Sequence, residues 1–160
     1  MRIFPRLAVL ATLFVITACS DPLAPKIKDA TFAPELGIDL SRFERRASGL
    51  YIQELVEGTG PDAGGFSTVK AWYTGWLVNG VQFDTRVCLP DDDGECTADP
   101  AVFSPSGAVI AGFAEGIRGM RAGGKRLLII PPSLGYGNRS QGSIPRNSIL
   151  VFEIEVVSVN

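Results

Sequence analysis

The sequence predicts an α+β fold, a twisted antiparallel β-sheet forming a half-barrel wrapped around one short α-helix. Three observations lead there. Leu50 to Val56, Val69 to Leu77, Lys125 to Ile130 and Ile149 to Val159 are rich in β-branched and aromatic residues and are separated by Gly, Pro, Asn and Asp. One short stretch, Gly112 to Met120, spaces Phe113 and Ile117 at i, i+4 on a single helical face. The 160 residues contain no internal repeat and suffice for one domain with a real core.

In chain order, residues 1–18 read as an export signal of the lipoprotein type. Arg2 and Arg6 supply a positive start, and Leu7 to Ile16 is an apolar run too short to span a bilayer. Ile16-Thr17-Ala18-Cys19 resembles a lipobox, so Cys19 is the expected lipidation site and new N-terminus, anchoring the chain without spanning. Ser20 after it resembles the sorting pattern of Gram-negative outer-membrane lipoproteins, which points to a periplasm-facing protein.

Residues 19–48 are expected to be the lipidated N-terminus and a tether, with Pro22, Pro25 and Pro34 early and a short helix near Asp39 to Arg46. Unfolded, such a segment reaches roughly 30 Å. Phe32, Leu36, Ile38, Leu40 and Phe43 give it apolar side chains able to dock on the domain or on a second copy. The domain itself is expected at 49–160, with a loop insertion at 87–99.

Strand faces follow from the two-residue period. In the last strand Leu150, Phe152, Ile154 and Val156 form an apolar face, while Val151, Glu153, Glu155 and Val157 form a half-wet one. In the second strand Ala71, Tyr73, Gly75 and Leu77 share a face, which points Tyr73 inward. Gly123-Gly124 ends the helical stretch before Lys125 to Ile130.

Composition narrows the function. Fifteen bases against seventeen acids give a formal charge of −2, and removing Arg2 and Arg6 with the signal leaves an acidic mature chain. Nucleic acid is therefore not an expected partner. The absence of histidine excludes histidine-based nucleophile pairs and general acid/base work, and the imidazole zinc sites. With Cys19 assigned to lipid, Cys88 and Cys96 remain in one acidic loop, and an oxidising compartment predicts that they form a disulfide.

The motifs then converge. Trp72-Tyr73-Thr74-Gly75-Trp76-Leu77, Asn79-Gly80-Val81-Gln82-Phe83-Asp84-Thr85 and Val109-Ile110-Ala111-Gly112-Phe113-Ala114-Glu115-Gly116 occur in order. Gly124-Lys125-Arg126, Ile130-Pro131-Pro132, Leu134-Gly135-Tyr136-Gly137, Ile144-Pro145 and Leu150 to Glu155 follow. Each is weak alone, but the ordered set resembles the FKBP family, the macrolide-binding peptidyl-prolyl cis-trans isomerases, over about Gly49 to Asn160. The resemblance implies catalytic roles for Tyr73, Phe83, Asp84, Tyr136 and Phe152, and substrate binding by Val109, Ile110, Phe113 and Ile144. It implies proline-containing, unfolded or partly folded polypeptides as partners, a macrolide as a possible ligand, and neither metal nor cofactor.

The residue types suit that task. Rotation about an X-Pro bond faces a barrier of about 20 kcal/mol because twisting destroys amide resonance. No bond is broken, so a pocket that strips water from a less polar twisted amide needs no histidine. Phe113 is the expected floor, with Tyr73, Phe83 and Phe152 as walls. In the family the backbone N–H matching Ile110 and the phenol matching Tyr136 hold the substrate, and Asp84 orients Tyr73. A second reading is a proline-peptide binding module or chaperone without turnover. It is motivated by a missing aromatic wall near Ala101 or Val102, next to Phe103 and the 87–99 insertion.

Two other patterns carry less. Gly119 to Gly124 followed by Lys125 has phosphate-loop spacing, but Arg126 replaces the required Ser/Thr and a strand follows. Asp91, Asp93 and Glu95 alternate like calcium ligands, yet Gly94 and the absent distal glutamate disagree with a calcium hand.

Overall fold

The computed structural model describes residues 24–64, 68–104 and 109–160. The expected signal at 1–18 and the lipidation site Cys19 lie outside the described residues. The elements are β1 (Glu44–Arg45), β2 (Tyr51–Val56), β3 (Val69–Leu77), β4 (Gln82–Arg86), β5 (Ala101–Phe103), α1 (Ala111–Ile117), β6 (Lys125–Ile130) and β7 (Leu150–Val159). All pairings between them are antiparallel, in the order β1-β2-β6-β7-β3-β4, with β5 pairing β3 beyond β4. This is the α+β arrangement expected: an open sheet wrapped on one short helix.

β7 is central because both its faces can be buried. Leu150, Phe152, Ile154 and Val156 enter the inner core with Phe113 and Ile117 of α1. Val151 enters an outer core with Ile129 and Ile149. β6 divides likewise, Leu128 and Ile130 going inward and Ile129 outward, so its continuous apolar run marks a strand covered on both sides.

The cover on the outer face is the N-terminal segment. Ile27 is buried in the outer core, and Phe32, Leu36, Ile38, Leu40 and Phe43 pack against it. Among the described residues, the packing therefore extends back from Gly49 to Ile27. Of the two alternatives open for this segment's apolar residues, docking on the domain is the one observed, and they cover apolar sheet surface that would otherwise meet water. The helix expected over Asp39 to Arg46 is replaced by one 3-10 turn, Leu40–Arg42, and by β1. Asp39 accepts from the Ser41 backbone N–H at 3.0 Å and its hydroxyl at 2.7 Å, capping that single turn. Glu44 and Arg45 then pair with Ile52 and Tyr51.

α1 stops at Ile117 instead of reaching Met120. Arg118 is extended, and the Gly119 N–H leaves the helix to donate to Ala63 O at 3.1 Å. β4 and β5 were not expected as strands. β4 holds one apolar residue and is mostly exposed, so pairing with β3 forms it where local pattern does not.

The helix lies very close to the sheet. A Cβ on Gly116 would meet Leu128 Cδ2 at 2.7 Å and Cγ at 3.0 Å, and one on Gly112 would meet Ile130 Cγ1 at 3.2 Å. Arg126 of β6 locks the contact. The residue is 8% exposed, and its guanidinium donates to Glu54 Oε2 at 2.6 and 2.8 Å, to Gly116 O at 2.5 Å and to Arg118 O at 3.2 Å. One cation thus satisfies carbonyls at the helix C-terminus and pairs with β2.

Leu128 has no exposed surface and no room to yield. Gly116→Ala is expected to cost about 1 to 3 kcal/mol by overpacking. Urea unfolding measures it, and an unchanged midpoint would contradict this packing.

Candidate active site

Phe83 and Asp84 are neighbours in sequence, and in a regular strand they would point to opposite faces. The β3–β4 ladder pairs Gly75 with Asp84 and then Trp76 with Gln82, leaving Phe83 as an extra residue in a bulge. Both side chains therefore reach the inner face. The Phe83 ring stands edge-on to Phe152 with centroids 5.4 Å apart, and Asp84 Oδ2 accepts the Tyr73 hydroxyl at 2.8 Å.

Gly75 makes room for these rings. A Cβ there would lie 2.6 Å from Phe83 Cζ and 2.8 Å from Phe152 Cε1. Phe113, carried by α1 and buried, sits at the centre: its ring lies 5.3 Å from Phe152, 6.0 Å from Tyr73 and 4.7 Å from Phe103. The expected floor and walls are thus brought together. Edge-to-face and tilted contacts of this kind hold rings in fixed mutual orientation.

Phe103 completes the set, 5.7 Å from Tyr73. It was noted in the sequence but not assigned to the site. The available signal was its place two residues after Ala101, which puts both on one face of β5. No ring stands at Ala101 or Val102, and Val102 is 62% exposed, so β5 contributes one aromatic.

The remaining side comes from loops. Val109, Ile110 and Tyr136 pack against the inner core, and Ile144 is buried in it. Gly137 N–H donates to Pro132 O at 2.9 Å and Asn147 N–H to Gly137 O at 2.6 Å, which fixes the backbone beside Tyr136. Reciprocal bonds of 2.9 Å between Gln141 and Ile144 hold Ile144 in place. A hollow lined by Ala63, Val69, Phe103, Val109, Phe113 and Ile117 adjoins the rings. Among the described residues, neither the Tyr136 hydroxyl nor the Ile110 N–H has a partner. Both remain as donors beside an apolar surface.

Cys88 and Cys96 form the expected disulfide, with Cα atoms 5.0 Å apart. It closes the 87–99 insertion, which leaves the sheet just after Arg86, opposite Tyr73, and returns at Ala101, opposite Ala71. The insertion thus rises beside the site, with Leu89 63% exposed.

Five aromatic rings packed edge-on and tilted around Phe113, with an apolar hollow beside Phe103 and Phe113, define a protein with an aromatic-walled site on the inner face of an open sheet. Residues 61–157 match the FKBP-type peptidyl-prolyl cis-trans isomerase family, and the chain belongs to it. The FK506-binding protein of Neisseria meningitidis serogroup B is 41% identical over 69% of this chain and 96% of its own length. The peptidyl-prolyl cis-trans isomerase Mip of Chlamydia muridarum is 35% identical over 89% of this chain and 53% of its own. A crystal structure of a peptidyl-prolyl cis-trans isomerase from Pseudomonas syringae superposes with a TM-score of 0.62 at 31% identity, covering 74% of this chain and 81% of that one.

Burial, the hydrogen bond to Asp84 and the Asp84 charge together raise the Tyr73 phenol from the ordinary 10.0 to about 12. The neutral phenol is the form the fold favours. Its contribution to stability is intact below pH 10.0 and is lost as the pH rises through about 12. The phenolate absorbance lost in Tyr73→Phe should therefore titrate near 12, and Asp84→Asn should lower that midpoint. A midpoint at 10.0 in the unaltered protein would contradict the contact.

Proposed function

We propose that this chain isomerises X-Pro bonds of exported polypeptides, assisting their folding, at the site formed by Tyr73, Phe83, Asp84, Phe113, Tyr136 and Phe152. The observation that carries this is the cluster of rings from Tyr73, Phe83, Phe103, Phe113 and Phe152 in the same core as Ile110 and Tyr136, whose N–H and hydroxyl have no partner among the described residues. The proline ring lies on Phe113, between Tyr73, Phe83 and Phe152. The donors take substrate carbonyls on either side of the prolyl bond, holding the peptide while the amide rotates.

Rotation localises the nitrogen lone pair and weakens the amide dipole. Apolar walls that exclude water destabilise the planar amide more than the twisted one, so the barrier of about 20 kcal/mol falls. Asp84 transfers no proton, because no bond is made or broken. Its work is to fix the Tyr73 ring through the 2.8 Å hydrogen bond. A macrolide would compete with peptide for the same rings. The isomerase names of relatives favour turnover over the binding-only reading.

A protease-free assay on an X-Pro peptide tests the activity. Folded protein is expected to accelerate exchange, and no gain over the uncatalysed rate would overturn the reading. Tyr136→Phe removes a charge-neutral hydrogen bond of about 1 kcal/mol, so a several-fold loss of rate is expected. Phe83→Ala should likewise lower the rate far more than peptide affinity.

The lipid anchor belongs to the same reading. Arg2, Arg6, the apolar run and the lipobox at Cys19 support export and lipidation, with the outer membrane favoured, and the Cys88–Cys96 disulfide suits an oxidising periplasm. Since Ile27 is docked, the eight residue steps from Cys19 span at most about 28 Å, which would hold the domain near the lipid surface. Mass spectrometry of protein from a membrane fraction is expected to find acylated Cys19 at the N-terminus; an intact signal or an unmodified cysteine would overturn this part.

A further inference from the structure

Phe83 and Asp84 sit on an edge strand. Among the described residues β4 pairs with β3 alone, and its ladder is interrupted by the bulge at Phe83. A strand held on one side can slip or splay, and either motion would carry both site residues with it. Its other support is the turn that begins the hairpin. Within the turn, Leu77 N–H donates to Val81 O at 2.9 Å, Gly80 N–H to Leu77 O at 3.0 Å, and Val81 N–H to Asn79 Oδ1 at 3.2 Å.

The N-terminal segment grips this turn from outside. Ala33 N–H donates to Val78 O at 2.8 Å. The Glu35 carboxylate lies over Gly80: a Cβ added there would meet Glu35 Cδ at 3.0 Å and Ala33 Cβ at 3.3 Å, and φ of +85° already favours glycine. Trp76 and Val78 pack with Phe32 and Leu36 in the outer core, so the grip is continuous with the packing of the sheet.

We propose that Ala33 and Glu35 are positioning residues for the isomerase site, holding the β3–β4 turn so that Phe83 and Asp84 stand where the substrate requires them. Both precede residue 61, where the family match begins. The segment expected as a tether able to dock is thus a working part of the catalytic unit. For its effect on rate the proposal rests on the isomerase reading; for its effect on geometry it does not.

The test separates the two. Ala33 has φ −61° and ψ 137°, angles a proline adopts, so Ala33→Pro suits the residue's own backbone and deletes the donor. Glu35→Ala removes the exposed carboxylate over Gly80. Ile27→Ala serves as control, since it loosens the same segment's packing while leaving the Ala33 hydrogen bond and the Glu35 contact with the turn in place. Each full-length variant is assayed for kcat/KM on an X-Pro peptide and for the Tyr73 phenolate midpoint, which reports the Asp84 contact without any turnover.

Ala33→Pro alone and Ala33→Pro combined with Glu35→Ala are expected to lower kcat/KM roughly fivefold, the worth of about one hydrogen bond. They are also expected to bring the Tyr73 midpoint down from about 12. Ile27→Ala should lower the melting temperature while leaving both readouts alone. The proposal is overturned if the turn variants keep the unaltered kcat/KM and midpoint, or if Ile27→Ala shifts them equally. Should Ala33→Pro fail to fold, Glu35→Ala alone is judged by the same outcomes. Should the unaltered protein show no isomerase activity, the midpoint still decides whether the turn sets the Asp84 position.

Discussion

The site depends on how closely α1 lies against the inner face of the sheet. Gly112 and Gly116, one helical turn apart, turn bare backbone toward Ile130 and Leu128, and no larger residue fits either place without displacing buried side chains. Burying the Arg126 guanidinium is tolerable because each of its three nitrogens donates to oxygen, on Glu54 or on the carbonyls of Gly116 and Arg118. Strand β6, strand β2 and the helix end are joined at that one group. With the helix so fixed, Phe113 has one place to go, against Tyr73, Phe103 and Phe152.

The chemistry then follows from register. A bulge of one residue turns both Phe83 and Asp84 inward, Gly75 clears the space under two rings, and the Tyr73 to Asp84 bond converts the floppy end of a tyrosine into a fixed wall. None of these groups needs to exchange protons with substrate. The outer face matters as much to the arrangement: Ile27 to Phe43 cover it, and at Ala33 and Glu35 that cover touches the hairpin from which Phe83 and Asp84 project.

Much of this was readable in the chain. The four principal strands fall within a residue of expectation because each carries an alternating or continuous apolar pattern, and α1 was visible from Phe113 and Ile117. The site residues were reached through ordered motifs, since Tyr73 or Phe152 alone is indistinguishable from ordinary sheet core. β4 was missed because its exposed, mostly polar residues become a strand only through pairing with β3. Phe103 matches a family aromatic in the sequence, but only the fold shows its ring against Tyr73 and Phe113.

By itself the sequence determined the fold class, the family resemblance, and a pocket chemistry without imidazole, because periodicity and residue type are local properties that each segment carries. It also predicted the Cys88–Cys96 disulfide from compartment and count. Only the tertiary structure decided that Phe83 and Asp84 share one face, that Arg126 joins helix to sheet, and that the segment from Ile27 is docked rather than free. Those facts depend on registers, on close approaches and on which apolar surface remains to be covered, and each is a relation between segments far apart in the chain.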